Sequence, residues 1–197
     1  MRPPWRLARE LPVNAINHLV HRDSVSVDRP SHARPSPTAL HWLTAITRIS
    51  LGWIFLWAFL DKTFGLGHET TNAQAWVNGG HPTYGFLHFS AAGPFKGFYH
   101  GIAGDAWADW LFMIGLAGIG IALVLGVATR VAAWSGALML VVMWTVVLPP
   151  ANNPFMDEHL IYAMVLLALP LLHAGNTLGL GQWWQGLPVI SRHASLR

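Results

Sequence analysis

Ionisable side chains at the ends of apolar stretches are the residues of this sequence that could carry chemistry. Together they comprise a lysine, four carboxylates and a histidine: Asp61, Lys62, Asp109, Asp157, Glu158 and His159. Charged groups at membrane depth are costly and usually mark a functional site. Lys62, Glu158 and His159 are the predicted catalytic residues. A lysine and a histidine can bind an anion or a quinone oxygen, while a carboxylate moves protons.

A structural role for the same residues is the alternative. Asn153-Pro154 is typical of an N-cap followed by the first helical residue, so Asp157 and Glu158 would then only complement the positive end of the helix dipole. Lys62 would snorkel or pair with Asp61 or Glu158. In the functional interpretation Asp157 points about 100° away from Glu158 on the helix and matters less.

A second set of residues is predicted to bind the ligand. Arg48 and His173 fall at similar depth if their helices run in opposite directions, and Tyr162 shares a helix face with His159. Arg48 has no acidic residue at its depth, so it either snorkels or meets helix carbonyls, a lipid phosphate or a quinone carbonyl. Pro170 removes a helix hydrogen bond near His173, which points to a cavity. Arg48, Tyr162 and His173 are therefore the predicted quinone-binding residues.

The composition indicates which elements must hold these residues. The chain has 197 residues, of which 53% are hydrophobic and 11% are charged, against about 25% charged in soluble domains. A disordered protein and most water-soluble enzymes are excluded. The absence of cysteine excludes a Cys-ligated metal or cluster and a thiolate nucleophile, and no metal site is predicted. The arginines cluster at one end, which indicates membrane orientation rather than a nucleic-acid partner.

Four apolar blocks predict an all-α integral membrane four-helix bundle. The predicted spans are about 40–64, 107–128, 131–148 and 154–178, each near the length of about 20 residues that crosses the hydrocarbon core. Haem bound by His159 and His173 is disfavoured, because the second and third spans contain no histidine that could face them.

The positive charges predict the topology. With the N-terminus inside, the cytoplasmic segments carry nine Lys or Arg and the outer segments carry two, Lys62 and Lys96. This asymmetry places both termini in the cytoplasm of a multi-pass cell-membrane protein. Residues 1–39 are expected to form a disordered basic tail, and residues 183–197 a C-terminal cytoplasmic tail.

The segments between and within the spans suggest how the bundle is organised. Residues 65–106 form a long outer loop rich in aromatic residues and histidines, expected to fold into short interfacial helices that form an aromatic belt or a lid over a site. A packing ridge is expected at Gly118, Ala122 and Gly126, and a second at Ala132 and Gly136.

Several motifs resemble the DoxX/DoxD family of membrane proteins. They span residues 40–182 and include Arg48-x3-Gly52, Trp76-x2-Gly79-Gly80, Gly118-x-Gly120, Arg130 and the run from Leu148 through Asn153-Pro154 to Asp157-Glu158-His159 and Tyr162. The resemblance implies a four-helix membrane bundle. It also implies kinship with the membrane subunit of thiosulfate:quinone oxidoreductase, with quinone as the electron acceptor and a second redox subunit as partner. It assigns no catalytic residue.

Two functional hypotheses follow. In the first, the chain is the quinone-reactive membrane subunit of a thiosulfate or other sulfur-compound:quinone oxidoreductase. In the second, it is a non-catalytic anchor that docks a soluble redox enzyme. A transporter is disfavoured because no inverted repeat is visible. The expected partners are membrane lipid, a second redox subunit and a second copy of the chain.

Overall fold

The computed structural model describes residues 37–192, and within this range it contains helices and no β-strand. The all-α prediction is therefore confirmed for this part of the chain. Of the predicted basic tail, residues 1–39, positions 1–36 lie outside the described residues. Of the predicted C-terminal tail, residues 183–192 are described.

Three long apolar helices dominate the structure. They are α1 (Pro37–Phe64), α3 (Ala106–Leu125) and α4 (Thr129–Val146), and each is long and apolar enough to cross a membrane. Their ends agree with the predicted spans within three residues, because the length of the apolar stretch determines both the predicted span and the helix that forms.

The turn between α3 and α4 is tight. Gly126 adopts the left-handed conformation with φ of +74° and donates its N–H to the carbonyls of Ala122 and Leu123, which is a common way to end a helix. Thr129 then begins α4. Helices α3 and α4 therefore form a hairpin with a three-residue connection.

The fourth apolar helix is shorter than the predicted span 154–178. Helix α5 covers Glu158–Leu171, with Asp157 as its N-cap. Asn153 does not cap it, because its side chain accepts the N–H groups of Phe155 and Met156 in a turn before the helix. At the other end Pro170 lies in the last turn, and His173 has a positive φ of 51°.

Short helices connect and follow the long ones. The connecting segment, residues 65–105, contains α2 (Lys96–Ile102) and four single-turn helices: Asn72–Gln74, Trp76–Asn78, Phe86–Ser90 and Gly93–Phe95. It packs on the end of α4, where the Ala92 N–H donates to the Val146 carbonyl at 2.9 Å. After α5 come a turn at Ala174–Asn176, α6 (Gly181–Gly186) and α7 (Pro188–Ser191).

The core lies between α1, α3, α4 and α5. Leu51 and Phe55 of α1, Met113 and Ile119 of α3, Leu140 of α4 and Leu166 of α5 belong to one buried cluster.

Close approach of α1 to α3 depends on two glycines. A Cβ at Gly120 would come within 2.7 Å of the Leu56 backbone nitrogen, and one at Gly52 within 2.8 Å of the Val124 nitrogen. Gly118 faces open space, so the ridge predicted through it is wrong at that position. The reason is that Gly118 and Gly120 lie about 200° apart around the helix.

Candidate functional site

A cavity of about 640 Å³ lies at the C-terminal end of α1. Its wall includes Lys62 and His81 as polar groups and Tyr84, Phe86 and Phe89 as aromatic ones. A smaller cavity of about 210 Å³ shares Gly80 and His81 with it and is further lined by Trp76, Asp109 and Trp110. The combination of aromatic surface with a few polar groups is typical of sites for small organic molecules.

Asp61, the residue before Lys62, has a structural role. Its carboxylate is buried and accepts the backbone N–H groups of His68, Glu69 and Thr70 at 2.9–3.3 Å. These bonds hold the start of the connecting segment against the end of α1 and thereby position the rim of the cavity.

Lys62 pairs with a residue that the sequence did not suggest. Its Nζ lies 3.3 Å from Oε2 of Glu69, whereas pairing with Asp61 or Glu158 had been expected. Glu69 is exposed and Lys62 is mostly buried. An ion pair with one exposed partner contributes about 0–1 kcal/mol, so Lys62 can exchange Glu69 for an anionic or carbonyl oxygen in the cavity.

A second buried carboxylate at the site is that of Asp109, in the first turn of α3. Its Oδ1 accepts the backbone N–H of Thr83 at 2.9 Å and the Thr83 hydroxyl at 2.6 Å. Its Oδ2 lies 2.9 Å from Nδ1 of His81. Asp109 is 4% exposed, whereas the His81 side chain is 56% exposed. The carboxylate is thus fixed, and the imidazole that it holds faces solvent and both cavities.

This pair gives the site a group that can exchange protons. A carboxylate bound to Nδ1 of a histidine orients the ring and leaves Nε2 for the reacting partner. Sequence reasoning picked out Asp109 but missed His81. The two residues are 28 positions apart, and no local pattern in the sequence joins them.

A second histidine–carboxylate pair lies at the start of α5. His159 Nδ1 is 2.7 Å from Oδ2 of Asp157, while Asp157 Oδ1 accepts the N–H of Leu160. The expectation that the Asp157 side chain points away is therefore wrong, whereas its smaller importance for activity stays a prediction. Its N-cap position brings the side chain back over the first turn, toward His159.

The predicted catalytic residues are brought together only in part. The His159 ring, which is 14% exposed, is centred 6.4 Å from the ring of Phe86 in the cavity wall. The Glu158 side chain is exposed in the first turn of α5. His159 thus approaches the cavity from behind Phe86, and Lys62 lines it directly.

Arg48 is fully buried, at 0% exposure, far from this cavity. Its Nη1 donates to the carbonyls of Leu123 and Val124 at the end of α3, its Nε to that of Ala174, and its Nη2 to those of Thr177 and Leu178. A guanidinium has five N–H donors, and these five contacts engage them all. Of the alternatives that the sequence left open for Arg48, the structure shows contact with helix carbonyls.

The predicted ligand-binding residues do not form one site. Arg48 lies 14 positions before Lys62 on α1, or about 21 Å along the helix axis. Exposed His173 directly precedes Ala174, which Arg48 contacts, so these two residues share one end of the helices. Tyr162 is exposed on α5, one turn from His159.

Between residues 37 and 192 no group of three or more His, Asp or Glu side chains is arranged to hold a metal ion.

No family model, curated protein or solved structure matches the chain.

Proposed function

We propose that the chain is a multi-pass cell-membrane protein that acts as the quinone-reactive subunit of a thiosulfate:quinone oxidoreductase. The observation that carries the proposal is the cavity at the C-terminal end of α1, where Lys62 and His81 stand beside Tyr84, Phe86 and Phe89.

The membrane topology behind this proposal uses α5 as a fourth crossing. Its 14 residues span about 21 Å of the roughly 30 Å hydrocarbon core. The non-helical stretch that follows can complete the crossing, since Arg48 pairs the carbonyls of Ala174, Thr177 and Leu178. Irregular backbone is tolerated at membrane depth where protein groups satisfy it. Both termini then lie in the cytoplasm and the cavity lies on the outer side.

Quinone chemistry fits the groups around the cavity. A quinone ring is flat and apolar with two carbonyl oxygens, so aromatic side chains can hold its faces and Lys62 can bind an oxygen. Its reduction takes up two electrons and two protons. His81, fixed by Asp109, can exchange protons at the same wall.

Thiosulfate as the electron donor rests on the family resemblance and on charge. Joining two thiosulfate dianions through a new S–S bond yields tetrathionate and releases two electrons, which a quinone takes up with two protons to form the quinol. A dianion requires a cation at its docking site, and Lys62 is the lysine in the cavity wall. A second redox subunit is the proposed partner at this face.

Reconstitution tests the proposal directly. The protein in lipid nanodiscs, with the products of neighbouring genes added, is assayed for thiosulfate-dependent reduction of a menaquinone analogue. Lys62→Gln should lower kcat/KM at least about tenfold. Lys96→Gln, an exposed lysine of α2 outside the cavity wall, should not. Absence of turnover in the wild-type assembly, or equal loss in the two variants, contradicts the proposal.

The alternative function, a non-catalytic anchor, is favoured by the exposed rings of Phe89, Phe95 and Phe98 in the connecting segment. Clusters of exposed apolar residues often mark interaction surfaces. An anchor should co-purify from native membranes with a stoichiometric soluble oxidoreductase that keeps its full activity when the anchor carries Lys62→Gln.

A further inference from the structure

We infer that His81 is a catalytic residue of the cavity, donating a proton to the bound quinone, and that Asp109 is its positioning residue. The inference rests on the proposed quinone function and adds to it the identity of the proton donor. Neither residue belongs to the catalytic set that the sequence suggested.

The first step concerns the carboxylate. Both oxygens of Asp109 are engaged, Oδ1 by two donors of Thr83 and Oδ2 by His81. A buried carboxylate that lost one of these donors would carry a large desolvation cost. Asp109 therefore favours the state of His81 in which Nδ1 carries a hydrogen, whatever the charge of the ring.

The second step concerns the place of the ring. His81 follows Gly80, where a Cβ would lie 1.9 Å from the Gln74 carbonyl oxygen, so the backbone turns tightly just before the histidine. On one side the ring packs near Gly104, whose added Cβ would meet His81 Cγ at 3.5 Å. The rest of the ring borders both cavities. Nδ1 is thus fixed, and Nε2 is the nitrogen left for a ligand or for water.

The proton balance then follows. The singly charged imidazolium of His81, protonated on both nitrogens, gives the Nε2 proton to a quinone oxygen as the electrons arrive from thiosulfate. The O–H bond of the quinol forms as the N–H bond breaks. His81 becomes neutral, with Nδ1–H still donating to Asp109, and regains a proton from solvent because more than half of its side chain is exposed. The second proton of the quinol comes from solvent.

His159 is the competing candidate, since it also has a carboxylate on Nδ1. It is less suited to the role, because its side chain is 14% exposed and does not line the cavity. The two histidines can therefore be separated by experiment.

Chemical modification tests where His81 lies relative to the ligand. Diethyl pyrocarbonate should modify His81, read out by peptide mass spectrometry, and a menaquinone analogue should slow that modification at least about fivefold if it occupies the cavity. His68 is the internal control, because it is exposed against Trp57 and lies outside the cavity wall. Equal protection of both histidines, or of neither, overturns the inference.

Kinetics in the reconstituted assembly test the role itself. His81→Gln should lower kcat about 100-fold or more, which is the usual range for loss of a general acid, while the dissociation constant of the menaquinone analogue changes less than twofold. Added imidazole should restore part of the activity of His81→Ala, but not that of Asp109→Asn, in which the histidine is still present. His68→Gln should behave as wild type.

The outcomes separate this inference from the proposed function. If the wild-type protein binds no quinone, both fail. If it binds and reduces quinone and His81→Gln keeps its kcat, only the role of His81 is overturned. Circular dichroism of the His81 variants should match the wild type, since His81 is an exposed residue outside the helices. Thr83→Val offers a second test of the positioning role of Asp109. It removes the Thr83 hydroxyl that donates to the Asp109 carboxylate and leaves the histidine in place.

Discussion

At the scale of single residues, Arg48 shows how one side chain can complete the backbone of two elements. The last carbonyls of a helix have no partner within it and carry partial negative charge. Arg48 meets two of them at the end of α3 and three more in the stretch that follows α5. The sequence analysis predicted that Arg48 binds the ligand. The structure instead shows it saturated by protein carbonyls.

Replacement of Arg48 by lysine should be strongly destabilising. An ammonium has three donors, so at least two of the five carbonyls lose their partner. Each costs about 1–3 kcal/mol when left buried. The free energy of unfolding in mixed micelles should therefore fall by about 2–6 kcal/mol. Arg192→Lys, at an exposed position after α7, is the control and should lie within about 0.5 kcal/mol of wild type. Equal stability of both variants would contradict this structural role of Arg48.

Asp157 should contribute more than Glu158 to the stability of α5. Asp157 caps α5 and holds His159, whereas Glu158 is exposed in the first turn. Asp157→Ala should cost about 0.5–2 kcal/mol, and Glu158→Gln about 0.3–1 kcal/mol. Hydrogen exchange at the Leu160 amide, whose N–H the Asp157 carboxylate accepts, should quicken in Asp157→Ala alone. Faster exchange at this amide in Glu158→Gln instead would contradict the capping role of Asp157.

At the scale of elements, the contact between α1 and α3 is set by which glycines face the neighbouring helix. Gly118 and Gly120 are two positions apart on α3, yet one faces open space and the other the Leu56 backbone. Without a hydrophobic driving force between helices, association in lipid depends on such close backbone approach.

This difference predicts opposite signs for the same substitution. Gly120→Ala places a methyl group 2.7 Å from the Leu56 nitrogen and should destabilise the protein by about 1–3 kcal/mol through overpacking. Gly118→Ala meets nothing within 4 Å and should be neutral or stabilising by up to about 1 kcal/mol, because alanine favours the helix. Thermal unfolding in the same detergent measures both. Similar destabilisation by the two variants would mean that the contact between α1 and α3 does not run through Gly120.

Elements were more predictable from the sequence than the contacts among them. Apolar length and charge spacing located α1, α3 and α4 within three residues of their ends. The ends of α5 depend on Asp157 acting as the cap in place of Asn153 and on carbonyls that Arg48 satisfies from another helix. The pair of His81 and Asp109 likewise depends on how the connecting segment folds onto α3. Hydropathy and local patterns cannot report such tertiary contacts.

At the scale of the whole molecule, the polar groups separate into two levels along the helices. Arg48 and His173 lie at one level, and Lys62, His81 and Asp109 lie at the other, about 21 Å away along α1. The first level satisfies backbone, and the second borders the cavities. The cavity with the proposed chemistry and the structural charge of Arg48 therefore lie at opposite ends of α1. The orientation of the protein in the membrane then determines on which side the reaction takes place.

The absence of cysteine from the sequence makes that orientation directly measurable. Gly97 in α2 and Gly186 in α6 are exposed, and each has room for a Cβ. Gly97→Cys and Gly186→Cys therefore add one thiol each without altering any of the charges that set the topology. A membrane-impermeant maleimide applied to intact spheroplasts should label Gly97→Cys, since the cavity end is proposed to face outward. Gly186→Cys should react only after the membrane is permeabilised. The reverse pattern would place the cavity in the cytoplasm, and labelling of both thiols in intact spheroplasts would mean that the chain crosses the membrane an even number of times between them. Either result would require thiosulfate, quinone and any partner subunit to be sought on a different side from the one proposed.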